Sequence, residues 1–171
     1  MHDPACSPGE PDESDLIIFG VNLFDEPGND GVVLTYLAFD CLADAAYPTI
    51  TSSITITGVV GEPEANERVA LLAPTDLPNE NCRIFDVDGG NLQLNNLSLS
   101  LGRSFEGESG GEGGAVRVNN GRLTVINTKF LENRAILGGA ISAFESDLQI
   151  KSTEFSDNMA AMQSGSFLQP F

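Results

Sequence analysis

The sequence predicts an all-β fold: a parallel β-helix, or solenoid, with coils of about 25 residues and an N-terminal cap. Two observations carry that expectation and a third supports it. First, two segments superimpose at a spacing of 25 residues, GGAVRVNNGRLTVINTKFLENRA from Gly113 and GGAISAFESDLQIKSTEFSDNMA from Gly138. Second, both open on Gly-Gly-Ala-aliphatic (Gly113, Gly114, Ala115, Val116; Gly138, Gly139, Ala140, Ile141) and both carry Phe-x-x-Asn (Phe130, Asn133; Phe155, Asn158). A fixed period of this size marks stacked units, each unable to bury its apolar face alone. Third, superposition sets Arg122 over Asp147 and Lys129 over Glu154, so opposite charges become neighbours.

Within a unit the apolar residues alternate in short runs, which is the strand period. In the 113–137 unit, strands are expected at Ala115–Val118, Leu123–Ile126 and Thr128–Leu131, with turns at Asn119-Asn120-Gly121 and near Asn133. Strands of successive units pair in register at about 4.8 Å, so equivalent residues stack. Leu123 then lies over Leu148, Val125 over Ile150 and Phe130 over Phe155. Burying each such side chain contributes roughly 1.5–3 kcal/mol. Asn133 over Asn158 forms an amide ladder at a corner. The Gly-Gly pairs serve corners with positive φ, which a Cβ obstructs. Antiparallel hairpins predict matching within a unit instead of identity between units.

The segment CRIFDVDGGNLQLNNLSLSLG (82–102) aligns with the next unit at an offset of 31: Val87 with Val118, Leu92 with Leu123, Leu94 with Val125, Leu99 with Phe130. The same alignment sets Asp86 over Arg117. The six extra residues fall in SFEGESGGEG, an insertion whose exposed part, Phe105–Gly114, is a protease-sensitive loop. The segment lacks both marks, and Glu132 over Asp157 is a like-charge exception. Residues 48–160 make the helix. Residues 16–47 are assigned to the cap, with 32–47 open to strand or short helix. Residues 1–15 read as a disordered acidic leader and 161–171 as an irregular tail or truncated coil.

A net charge of −17, from eight basic and 25 acidic residues, excludes nucleic acid as a partner, because phosphate recognition needs a Lys/Arg surface. No stretch of 18 apolar residues predicts insertion into a membrane. Clustered carboxylates raise Ca²⁺ as a cofactor, without the spacing of a known calcium loop; no other cofactor is implied. His2 alone supports neither a zinc site nor nucleophilic catalysis. Of Cys6, Cys41 and Cys82 at least one is left over, and a Cys41–Cys82 bridge would need an oxidising compartment. The leader has no basic n-region or apolar h-region. The chain therefore stays inside or is a piece of a longer exported product, and the repeats favour the second.

Gly-Gly-Ala-aliphatic and Phe-x-x-Asn, in order and twice over, resemble the repeats of chlamydial polymorphic outer-membrane proteins and of secreted proteins with right-handed parallel β-helix repeats. YPTITSSITITG, CRIFDV and GGNLQLNNLSLSLG are similar to the entry segment of such surface proteins. The resemblance covers roughly 48–160. It implies a right-handed helix and a non-enzymatic, adhesin-like module at the extracellular or outer-membrane surface. Partners would be a host-surface protein or glycan, and an open last coil invites edge-to-edge self-association. It implies no catalytic residues here. The alternative is a carbohydrate-active β-helix enzyme, a lyase or hydrolase, with candidates Asp86, Asp88, Arg117, Glu145 and Asp147 on the outer face.

Overall fold

The structure, a computed structural model, describes residues 15–21, 32–34, 45–60, 68–73, 81–105 and 111–160. It is all-β, with no helix among the described residues. The described residues form sixteen strands, in order along the chain. The first four are β1 (Asp15–Val21), β2 (Val32–Leu34), β3 (Ser53–Val60) and β4 (Arg68–Leu72). A first layer follows with β5 (Phe85–Asp88), β6 (Asn91–Asn95), β7 (Leu97–Ser100) and β8 (Arg103–Ser104). The second holds β9 (Val116–Asn119), β10 (Arg122–Ile126), β11 (Lys129–Leu131) and β12 (Arg134–Ala135). The third holds β13 (Ile141–Phe144), β14 (Asp147–Lys151), β15 (Glu154–Ser156) and β16 (Met159–Ala160).

Each of the last three layers gives one strand to each of four parallel sheets: β1-β3-β6-β10-β14, β15-β11-β7-β4-β2, β16-β12-β8 and β13-β9-β5. This pattern is compatible with a solenoid. Each layer therefore has four strands where sequence periodicity marks three, because a two-residue strand such as Arg134–Ala135 is too short to show alternation. Within the segment read as a cap, β1 pairs with β3 and β2 with β4, in parallel. At 32–34 the ambiguity resolves as strand, while residues 35–44, the leader and the tail lie outside the described residues.

The register agrees with the alignment. Leu123 pairs with Leu92 and Leu148, Val125 with Leu94 and Ile150, and Phe130 with Leu99 and Phe155. Ile17, Ile56, Leu94, Val125 and Ile150 make one column through five strands. Alternation turns these residues inward, and Leu94, Leu99, Leu123, Val125 and Phe130 are fully buried.

Left-handed residues stack at the corners. Gly89, Asn120 and Glu145 (φ 74°, 50°, 47°) share one corner; Asn96, Asn127 and Ser152 (φ 55°, 46°, 50°) share another; Leu101, Glu132 and Asp157 (φ 65°, 55°, 55°) share a third. The fourth belongs to Gly113 and Gly138, at φ 55° and 61°. In each Gly-Gly pair only the first residue has positive φ. The second is required by close approach, since a Cβ on Gly114 would lie 2.4 Å from the Gly139 carbonyl oxygen.

Asn133 is the best-bonded corner side chain. Its Oδ1 accepts from the Gly102 amide at 2.9 Å, and its Nδ2 donates to the Leu99 carbonyl at 3.0 Å and to Asn158 Oδ1 at 2.9 Å. Asn158 repeats the motif one layer on, donating to the Phe130 carbonyl at 2.9 Å. Phe-x-x-Asn is thus an inward ring followed by an amide that closes the bend. In the first layer Leu99 and Gly102 hold the corresponding positions, which is why the mark is missing there.

Candidate functional site

Eleven residues, 105–115, connect β8 to β9, whereas five, 136–140, connect β12 to β13. The extra length is the predicted insertion, confined to one corner. Residues 106–110 lie outside the described residues; both ends of the insertion are described.

A short segment, 81–83, clamps these ends. The Phe105 amide donates to Asn81 Oδ1 at 2.7 Å. Cys82 and Arg103 exchange backbone hydrogen bonds of 2.8 and 2.9 Å, an antiparallel bridge. Arg83 is only 1% exposed. Its Nε donates to the Glu112 and Gly113 carbonyls, both at 3.0 Å, and one terminal nitrogen donates to Ser104 Oγ at 2.9 Å and to the Glu112 carbonyl at 2.6 Å. A planar guanidinium thus ties Ser104, at the start of the insertion, to Glu112 and Gly113 at its end. On the far side the Ile136 amide donates to the Gly111 carbonyl at 2.8 Å. Cys82 is disulfide-bonded. Its partner is Cys6 or Cys41, both outside the described residues, so the expected Cys41–Cys82 bridge falls there too.

Over this base sits a charged cluster. Arg117 donates to Asp86 at 2.9 Å and to Glu112 at 3.2 Å, while Arg83 approaches Asp86 at 3.4 Å. Burial lowers the Arg117 pKa, but its hydrogen bonds and charge interactions with Asp86 and Glu112 outweigh burial and raise it above the ordinary arginine value. A lyase base must surrender its proton, and this arrangement does the reverse. Asp88 accepts from Asn119 at 3.0 Å, and Asp147 accepts from Arg122 at 2.9 Å. Glu145 stands at a left-handed corner of the third layer, two strand spacings (about 10 Å) from the Asp88 layer. Of the five outer-face candidates the structure joins Asp86 and Arg117 in an ion pair, while Asp88 and Asp147 are bonded to Asn119 and Arg122 instead. Among the described residues no group of three or more His, Cys, Asp or Glu is placed to hold a metal ion.

The eight motif residues occupy structural positions. Gly113, Gly114, Gly138 and Gly139 stack at one corner, Phe130 and Phe155 inside, and Asn133 and Asn158 at another corner. Arg83, Ser104 and Glu112 escape motif reading. The available signal was a basic residue inside the apolar run Cys82–Val87 of a chain with eight basic residues in all. Among the described residues no helix is long and apolar enough to cross a membrane.

Compared with family models, curated proteins and solved structures, the chain matches none.

Proposed function

We propose that the sheets wind as a right-handed parallel β-helix and that the chain is a non-enzymatic, adhesin-like module, a segment of a longer exported surface protein, presenting its inserted loop to a host-surface protein or glycan. One observation carries the reading: an insertion confined to a single corner of a regular stack, gripped at both ends by the buried guanidinium of Arg83. Binding segments are commonly loops held by a rigid scaffold. Right-handedness follows the usual hand of connections between parallel strands. The disulfide at Cys82 suits an oxidising, extracellular compartment. Five carboxylates or guanidiniums that a lyase or hydrolase would draw on are dispersed or already paired, which weighs against the enzymatic alternative.

The test is a glycan array and a host-cell binding assay with the full chain and with a variant in which residues 106–110 are replaced by Gly-Ser linker of equal length. The reading expects binding without turnover, lost in the linker variant while thermal stability is retained. Release of unsaturated sugars from acidic polysaccharides, abolished by Arg117→Ala, would overturn it in favour of a lyase.

A further inference from the structure

Arg103 of β8 and Arg134 of β12 stand in register on neighbouring parallel strands. Strands so paired lie about 4.8 Å apart, and paired residues project to the same side. The next residues, Ser104 and Ala135, are buried, so alternation points both arginines outward. Elsewhere the stack matches unlike charges: Asp86 with Arg117, Arg122 with Asp147 and Lys129 with Glu154. Like charges set directly opposite each other destabilise a sheet. Arg103 and Arg134 hold that position, and neither joins an ion pair among the described residues. Glu132 and Asp157 occupy the adjoining left-handed corner and pair with neither. A chain with 25 acids and eight bases thus sets two cations side by side without a carboxylate between them.

Described structure lies on both sides of the pair. Cys82 bridges Arg103 on one side, and β16 pairs with β12 on the other. The placement is set by the first two layers, whatever precedes or follows them.

We propose that Arg103 and Arg134 together bind one carboxylate, that of an acidic sugar in a glycan. Guanidinium forks match carboxylate geometry and donate parallel N–H bonds to it. The two oxygens of one carboxylate have lone pairs enough to receive both arginines. A net charge of −17 opposes densely charged polyanions, so the fit is to a glycan whose acids are isolated. At physiological salt, screening beyond about 8 Å leaves that single close contact in place. Met159, exposed and in register with Arg134, offers an apolar contact beside the anion. The choice of a sugar rests on the proposed glycan-binding role; the anion site rests on the register.

The test is a titration of the full chain with a uronic-acid trisaccharide at ~0.15 M salt, followed by the arginine Nε–Hε NMR signals. Saturable shifts are expected at Arg103 and Arg134 and none at Arg122. The methyl-esterified trisaccharide, the same sugar without its charge, should bind at least about tenfold more weakly. Arg103→Gln or Arg134→Gln should each weaken binding by a similar factor. Each should also hold or raise the melting temperature without ligand, because a like-charge contact is gone. Arg122→Gln makes the same change in net charge and should leave binding intact. Absent shifts, equal binding of the ester, or an equal loss in Arg122→Gln would each overturn the proposal. So would binding that emerges only after Glu106→Gln and Glu108→Gln, since the chain's own acids would then be the occupants. A negative glycan array with saturable shifts here would sink the adhesin role and keep the site; the reverse would sink the site and keep the role.

Discussion

The rings of Phe130 and Phe155 lie 5.0 Å apart and 7° from parallel, one layer above the other. The contact joins residues 25 apart in sequence and follows from the pairing of β11 with β15. It also separates burial from stacking, since Phe130 is fully buried and Phe155 is 47% exposed. Phe130→Ala is expected to destabilise by about 3–5 kcal/mol, as buried phenylalanines do. Phe155→Ala should cost less than half of that by urea denaturation.

Asn133 carries the next prediction. Asn133→Ala leaves the Gly102 amide and the Leu99 carbonyl without their side-chain partner in a buried corner. The loss is expected to be about 2–4 kcal/mol. Asn133→Asp should be at least as damaging at pH 7, because a carboxylate would face the Leu99 carbonyl and Asn158 Oδ1 where the amide now donates. Equilibrium unfolding of the three proteins measures both.

Glu132 illustrates a conflict between local preference and stack. It holds φ 55° and sits over Asp157, a like charge in the same left-handed corner. Asn tolerates this conformation better. Glu132→Asn is therefore expected to stabilise by about 0.5–1 kcal/mol, read as a raised denaturation midpoint with unchanged m-value.

The columns were legible because equal spacing of like residues is a direct image of parallel pairing: Leu123 over Leu148 and Lys129 over Glu154 need only an offset. The Gly-Gly and Asn corners were legible because those residues have conformational reasons to be there. The other corners were not. Leu101, Glu132 and Glu145 adopt left-handed φ against their own preference, in columns shared with residues of the same conformation. The short fourth strands were hidden because two residues display no period. The clamp was hidden because Arg83 meets Glu112 and Gly113 across the insertion, a contact between segments with no shared pattern.

Arg83 should therefore control the insertion. Arg83→Lys keeps the charge but loses the planar fork that reaches Ser104 and two carbonyls. Limited proteolysis is expected to cut wild type within 106–110, and to cut Arg83→Lys there at least about tenfold faster, since a 1.4 kcal/mol loss of loop stability already gives that factor when opening is rapid.

Tyr47 gives an alkaline signature. Its ring stacks on Phe85 at 4.9 Å, and burial pushes its phenol pKa well above the ordinary value. The unfolded state then loses its proton first, near pH 10, so folding loses stability as pH rises from there toward the folded-state pKa. Below pH 10 the contribution is constant. Comparing denaturation midpoints from pH 8 to 11.5, the decline above pH 10 should be shallower in Tyr47→Phe than in wild type.

The most direct measurement is a methyl-resolved NOESY spectrum of the chain with Leu, Val and Ile labelled. Strong cross-peaks are predicted along Leu94, Val125 and Ile150 and along Leu92, Leu123 and Leu148, residues that the parallel register places in adjacent strands. Absence of both series, with contacts instead between strands of the same unit, would contradict the stacked architecture and the readings built on it.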